Sequence, residues 1–172
     1  FCRVIKEKGI EDAIKAVESI NGQGKYKATL DIYGPIFDGY KEEFETLMQG
    51  VPDTIHYKGC ADPSESVLTL CQYDVQIFPT HYLTEGIPGS IVDSYAAAVP
   101  VVASKWNSYD DIVAEGKTGL GYEIGNISEL TMRLQELCED RSKLIQMAES
   151  CIEFYKEQYT PESAIKKVVG VM

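Results

Sequence analysis

The sequence contains no apolar run of 18 residues, so no stretch of it is long enough to cross a bilayer as a helix. Nothing in it has the form of a secretory signal peptide. Cys2, Cys60, Cys71, Cys138 and Cys151 are odd in number and widely spaced, with no Cys-x-x-Cys pair. That pattern argues against a disulfide framework or a zinc site and predicts buried free thiols in a reducing compartment. Cys71, Cys138 and Cys151 fall in helical patterns and read there as small apolar residues. Positive charge is scarce: 16 Lys and Arg face 27 Asp and Glu, a net charge of −11. Nonspecific binding to nucleic acid or to an anionic membrane is thereby disfavoured, although a local basic patch around a ligand is not. Internal repeats, low-complexity segments and metal-ligand spacings are also missing. A length of 172 residues suits one domain with a full core. Phe1-Cys2-Arg3-Val4 lacks an initiating Met and reads as the end of a strand, so the chain is expected to be an excised piece.

What is present is organised around residues 75–104. Val75-Gln76-Ile77-Phe78-Pro79 reads as a buried strand entering a loop. The loop carries Glu85-Gly86-Ile87-Pro88-Gly89. Ile91, Val92, Tyr95, Ala96 and Val99 then recur at helical spacing, and Val99-Pro100-Val101-Val102-Ala103 reads as the next strand, with Pro100 at its start. This βαβ unit has a chemical end. A Gly-rich loop running into a helix N-terminus presents free backbone N–H groups and the positive end of the helix dipole, which suits a phosphate. Glu85 lies in the loop and Asp93 in the first turns of the helix. Carboxylates accept hydrogen bonds from hydroxyls, so two acids beside a phosphate site fit a phosphate that carries sugars. A second reading stands beside this one. Ser90-x-x-Asp93 also has the form of a capping box, and Glu85 could be a solvated loop acid.

Glu85-Gly86-Ile87-Pro88 followed by an acid, and then Ala96-Ala97-Ala98-Val99-Pro100-Val101-Val102-Ala103, resembles the donor-binding lobe of glycosyltransferase family 4. The family signature is Glu, seven residues, then a second Glu, followed by a small-residue helix and a Pro-Val-Val/Ile-Ala strand. Asp93 takes the second position with a shorter arm, and Ala98-Val99 replaces the common Ala-Gly pair. A second match lies about 80 residues upstream. Cys2-Arg3-Val4-Ile5-Lys6-Glu7-Lys8-Gly9 resembles the family stretch whose Arg and Lys bind the donor diphosphate. Without the resemblance, Arg3 and Lys8 would read as two solvated cations flanking a strand exit.

The rest of the chain alternates helices and strands. Helices are expected over Ile10 to Ile20, Tyr40 to Gln49, Asp62 to Leu70, up to Val113, Ser128 to Glu139, Arg141 to Glu157 and Pro161 to Val171. Asp62 is the expected N-cap of its helix, with Pro63 at N1. Strands are expected at Ala28 to Tyr33, Thr54 to Lys58 and Asp74 to Phe78, and Glu115 to Tyr122 resembles the family's Gly-x-x-Gly turn before its last short strand. Such alternation predicts an α/β Rossmann-like three-layer sandwich with a parallel sheet. Ligands of such sheets bind outside the carboxyl ends of the strands, which makes His81 and Tyr82 candidate site-liners. Trp106 suits either a ligand or an interface.

The resemblance implies one lobe, residues 1–172, of a two-lobed GT-B enzyme. It implies transfer of a sugar, with retained configuration, from a nucleotide diphosphate sugar to a carbohydrate or lipid-linked acceptor held by an absent N-terminal lobe. The helices from about residue 140 would pack on or cross back to that lobe. Implied roles are diphosphate binding for Arg3, Lys8 and the backbone of Gly86, Ile87, Pro88 and Gly89; catalysis and sugar binding for Glu85; and ribose binding for Asp93. His56, Tyr57 and Lys58 would lie near the base. No metal or other cofactor is implied, nor a nucleic-acid partner. The setting would be cytoplasmic, with membrane association through the absent lobe. Two alternatives stand beside this reading: a sugar-nucleotide 2-epimerase of similar fold, and a non-catalytic α/β module of response-regulator type. The epimerase lacks the Arg-x-x-x-x-Lys loop. The module needs an acidic cluster at the first strand, where this sequence has Gly34-Pro35.

Overall fold

The computed structural model describes residues 1–163 together with Ile165 and Gly170. Helices α1 (Ile10–Gly22), α2 (Lys41–Gln49), α3 (Ser66–Leu70), α4 (Gly89–Ala96), α5 (Tyr109–Ile112), α6 (Ile127–Glu139) and α7 (Arg141–Gln158) alternate with strands β1 (Leu30–Ile32), β2 (Ile55–Tyr57), β3 (Gln76–Phe78), β4 (Val101–Ser104) and β5 (Gly119–Tyr122). All paired strands are parallel, so the fold is the Rossmann-like α/β class expected. The sheet is divided, however. Among the described residues β1 pairs only with β2, and β3–β4–β5 form a separate three-stranded sheet. The first segment contributes one parallel bridge, Val4 to Ile36.

Three apolar clusters hold these parts together. Ala16 and Ile20 of α1 meet Val102, Leu120 and Tyr122 of the sheet and Leu130 and Leu134 of α6 on one face. Ile91 and Tyr95 of α4, Trp106, Tyr109 and Cys151 cover the other face. Ile10, Ile14 and Val17 of α1 join Val4, Ile32, Phe44 and Ile55 around the two-stranded sheet. Trp106 is therefore core rather than site or interface: it is buried, with its ring 5.4 Å from Phe78 and 5.7 Å from Tyr109.

Helix α7 passes from one face to the other. Leu144 and Met147 pack in the first cluster, and Cys151 in the second. Through Gln158 the chain thus stays on its own core. The helix expected at 161–171 is helical at 161–163 and 165, and 164, 166–169 and 171 lie outside the described residues. Of the five thiols only Cys151 is buried; Cys60, Cys71 and Cys138 are exposed and Cys2 is half-buried. The expectation of buried thiols fails at four positions: Cys138 lies on the outer side of α6, Cys71 caps α3, and Cys2 and Cys60 lie outside the helices and strands. Burial alone pushes the Cys151 thiol up to about 12, which keeps it protonated and unreactive.

Helix α4 ends three residues earlier than its apolar spacing suggested. Ala97 caps it, and Ala98 adopts φ +59°, so Val99 belongs to the turn into β4. Ser94 closes this turn: its hydroxyl donates to the Val99 carbonyl at 2.8 Å, and the Val99 amide donates to the Ser94 carbonyl at 2.9 Å. Glycine is the usual residue after a helix C-cap because the left-handed conformation costs other residues about 1–2 kcal/mol. Ala98→Gly is expected to stabilise the protein by about 0.5–1 kcal/mol after glycine's extra chain entropy is counted. Chemical denaturation of both forms checks this, and an unchanged or lower midpoint would show that Ala98 is not strained.

Candidate functional site

The site forms where the carboxyl ends of β3 and β4 meet the starts of α1 and α4. Its first wall is the turn Lys6–Lys8, closed by Gly9 at φ +64° with its amide donating to the Lys6 carbonyl at 3.0 Å. Gly9 also serves as the N-cap of α1. A Cβ on Gly9 would lie 1.9 Å from the Pro79 carbonyl oxygen, so this turn touches the end of β3 directly. Glycine is needed here for both the conformation and the close approach.

That approach brings Lys8 to Glu85 across 77 residues of sequence. The two side chains form an ion pair and are only 13% and 19% exposed. The Lys8 ammonium also sits 5.3 Å from the centre of the Phe78 ring. Thr80, fully buried, approaches the Glu85 carboxylate at 3.4 Å and accepts from the Tyr82 amide at 3.1 Å. Ser104, at the end of β4, donates to the Thr80 carbonyl. Neither Thr80 nor Ser104 stands out in the sequence. The available signal is position: each is the polar residue at the carboxyl end of an apolar strand.

His81 is tied to α1. Its amide donates to the Glu7 carbonyl at 2.7 Å, and its Nε2 lies 2.7 Å from Asp12 Oδ2. Asp12 is buried, an acid on the inward side of an amphipathic helix, and sequence reasoning passed over it. The sign was there: a carboxylate seldom faces inward unless it is paired. Tyr82 is half exposed, and with Leu83 and Ile87 it leaves large apolar side chains uncovered on this rim.

The third wall is the loop into α4. Pro88 is its N-cap and no side chain caps the helix, so the capping-box alternative for Ser90 and Asp93 does not hold. Asp93 lies one turn inside and is half-buried. A Cβ on Gly86 or Gly89 would meet no atom within 4 Å, and neither glycine has positive φ. Packing therefore does not require glycine at either position.

Other candidates lie apart from this centre. Arg3 is exposed, and among the described residues it has no hydrogen-bond or ion-pair partner. His56 is exposed on β2. Tyr57 turns inward: its hydroxyl donates to the Gly34 carbonyl at 2.8 Å and its ring meets Phe44 at 5.3 Å. Lys58 gives its amide to the Ile32 carbonyl and its ammonium to Asp31 at 3.9 Å. Among the described residues there is no cluster of three or more His, Cys, Asp or Glu that could hold a metal, and no helix long and apolar enough to cross a membrane.

Residues 2–158 match the family of glycosyl transferases group 1. The chain belongs to that family. It is 26% identical over 142 residues to the capsular polysaccharide biosynthesis glycosyltransferase CapM of Staphylococcus aureus, covering 81% of this chain and 36% of that protein. It is 27% identical over 137 residues to the sulfoquinovosyl transferase SQD2 of Arabidopsis thaliana, covering 77% and 25%. The chain thus spans well under half the length of these curated relatives. In fold it is similar to Anabaena HepE, solved in complex with UDP, with a TM-score of 0.86, 19% identity, and coverage of 100% of this chain and 48% of that one. The C-terminal domain of the group 1 transferase LpcC from Francisella tularensis gives a TM-score of 0.78 at 22% identity, covering 94% and 84%. The Rossmann-like class is thus shared with glycosyltransferases of GT-B type.

Proposed function

We propose that this chain is the donor-binding lobe of a retaining glycosyltransferase of family 4, acting in polysaccharide or glycoconjugate synthesis. The observation that carries the reading is the meeting of Lys8 and Glu85 at the strand ends, directly before the start of α4. A nucleotide diphosphate needs countercharge and free N–H donors, and a sugar needs an acceptor for its hydroxyls. Those groups stand together here. Lys8 and the α4 amides take the diphosphate, joined by Arg3, whose exposed side chain has no partner of its own among the described residues. When Lys8 turns to phosphate it releases Glu85, which is then free to accept from the donor sugar. Asp93 takes the ribose. Open space at Gly86 and Gly89 lets the donor approach the backbone closely. The relatives support the class, since CapM is named for capsular polysaccharide and HepE was solved with UDP.

The acceptor, a carbohydrate or a lipid-linked one, is held by a second lobe of the whole protein. The exposed Tyr82, Leu83 and Ile87 rim is where that lobe closes over the donor. No metal is used, because Lys8, Arg3 and the α4 amides supply the countercharge.

Calorimetric titration with UDP, GDP and ADP tests the reading. One of the three is expected to bind as well in EDTA as in magnesium. Binding by none of them, or only with magnesium, would overturn it. Gly89→Ala is expected to keep the melting temperature and lose affinity. Equal affinity would mean that the donor does not pass over α4.

A further inference from the structure

The loop that delivers Glu85 has little of its own to hold it. Residues 81–84 are all exposed, between a buried Thr80 and a half-buried Glu85. A stretch without buried side chains is held by its hydrogen bonds. Its backbone makes two of them to other segments: the His81 amide donates to the Glu7 carbonyl at 2.7 Å, and the Leu83 carbonyl accepts from the Asn107 amide at 3.2 Å. Among the described residues, one side chain of 81–84 is hydrogen-bonded to another element. It is His81, whose Nε2 lies 2.7 Å from Asp12 Oδ2 on α1. An ionised carboxylate only accepts, which makes Nε2 the donor.

Asp12 is the unusual member of this pair. It is 8% exposed, and its neighbours Ile10, Ala13 and Ile14 are buried and apolar. Among the described residues no Lys or Arg pairs with it, and His81 is its partner. Burying a carboxylate opposes folding unless its partners offset the lost water. The His81 side chain is 42% exposed, so it offsets that loss only in part. Tyr122 adds an independent sign. It belongs to the apolar cluster that α1 shares with the sheet, is fully buried, and among the described residues its hydroxyl has no partner. Burial and the nearby Asp12 charge both push the ionisation of that hydroxyl up. An acid kept for the core would satisfy such a hydroxyl. Asp12 instead gives its hydrogen bond to the exposed loop. A residue that conflicts with its local surroundings in this way is a mark of a functional position.

We infer that Asp12 is a positioning residue for Glu85, acting through His81: their hydrogen bond clamps the loop 81–84 to the first turn of α1. That turn begins directly after Lys8, with Gly9 as its N-cap. One turn of helix thereby sets both members of the Lys8–Glu85 pair, Lys8 through the fit of Gly9 against Pro79 and Glu85 through the bond from Asp12 to His81. The bond has a carboxylate as acceptor, which makes it stronger than a neutral one and suited to hold an exposed loop. Its effect on donor binding rests on the proposed function above; the clamp itself does not.

The test compares Asp12→Asn, which keeps an oxygen acceptor of the same shape, with Asp12→Ala, with His81→Phe, which keeps a ring against Gly9, and with the double Ala and Phe variant. Backbone amide order parameters for residues 81–85 are measured first, without nucleotide. They should fall from the rigid range near ~0.85 to below ~0.6 in Asp12→Ala, His81→Phe and the double variant, with those of β4 unchanged. Asp12→Asn should keep the loop rigid. Titrations with UDP and UDP-glucose follow. The ratio of the two affinities should drop by roughly 5- to 10-fold in the three loosened variants, the scale of one hydrogen bond. The double variant should lose no more than either single one, because all three remove the same bond. Unchanged order parameters in Asp12→Ala and His81→Phe would overturn the clamp, whatever the nucleotide does. A loosened loop with an unchanged affinity ratio would overturn the role toward Glu85. A loosened loop in a protein that binds neither ligand would count against the donor-binding reading and leave the clamp standing.

Discussion

Gly9→Ala is expected to lower the melting temperature by about 6–12 °C, or about 3 kcal/mol, in a protein of this length. Two costs add. The left-handed conformation at φ +64° costs an alanine about 1–2 kcal/mol. The added methyl would lie 1.9 Å from the Pro79 carbonyl oxygen and 3.0 Å from the His81 ring. Backbone cannot yield as the tip of a flexible side chain can, and overpacking of this kind costs about 1–3 kcal/mol. Gly24→Ala is the control. Gly24 has a similar φ of +71°, but a Cβ there meets nothing within 4 Å. Only the conformational cost applies, so its loss should be a half or less of that at Gly9. Thermal unfolding of the three proteins decides. Equal losses would mean that the turn bearing Lys8 does not press on the end of β3, and the site geometry would lose its foundation.

Removing the Lys8 charge is the second large effect. Lys8→Met keeps an unbranched side chain of similar reach while deleting the ammonium that sits over the Phe78 ring. Loss of one charge-assisted contact should weaken binding of the nucleoside diphosphate by about 1.5–3 kcal/mol, or roughly 10- to 150-fold. Glu85→Gln should behave differently. It releases Lys8 from its ion pair, so affinity for the bare diphosphate holds or rises, while the added affinity brought by a sugar falls. Because the two side chains touch, their effects on diphosphate binding should fail to add by about 0.5 kcal/mol or more. Titration of the single and double variants with UDP and UDP-glucose measures all of this. If Lys8→Met binds the diphosphate as tightly as the parent, the ion pair is structural and the donor lies elsewhere.

Much of this protein was legible in its residues alone. Apolar residues at period 3.6 marked α1, α2, α6 and α7, and short apolar runs with breakers marked β1 to β4, because burial on one side leaves that imprint locally. The Asp62-Pro63 start was legible for the same reason: the Asp62 carboxylate accepts from the Ser64 amide within a few residues. Glu85 and Lys8 could be singled out by motif, but their contact could not, since it depends on Gly9 fitting against Pro79 some 70 residues away. The same holds for Asp12 and His81, for Thr80 and Ser104, and for Trp106, whose loop position suggested a site and whose packing buried it. The division of the sheet is tertiary in origin as well. A strand's sequence states that it wants two neighbours; only the assembled fold shows which edge of β1 and of β3 is left without one, because pairing joins segments whose local patterns are alike.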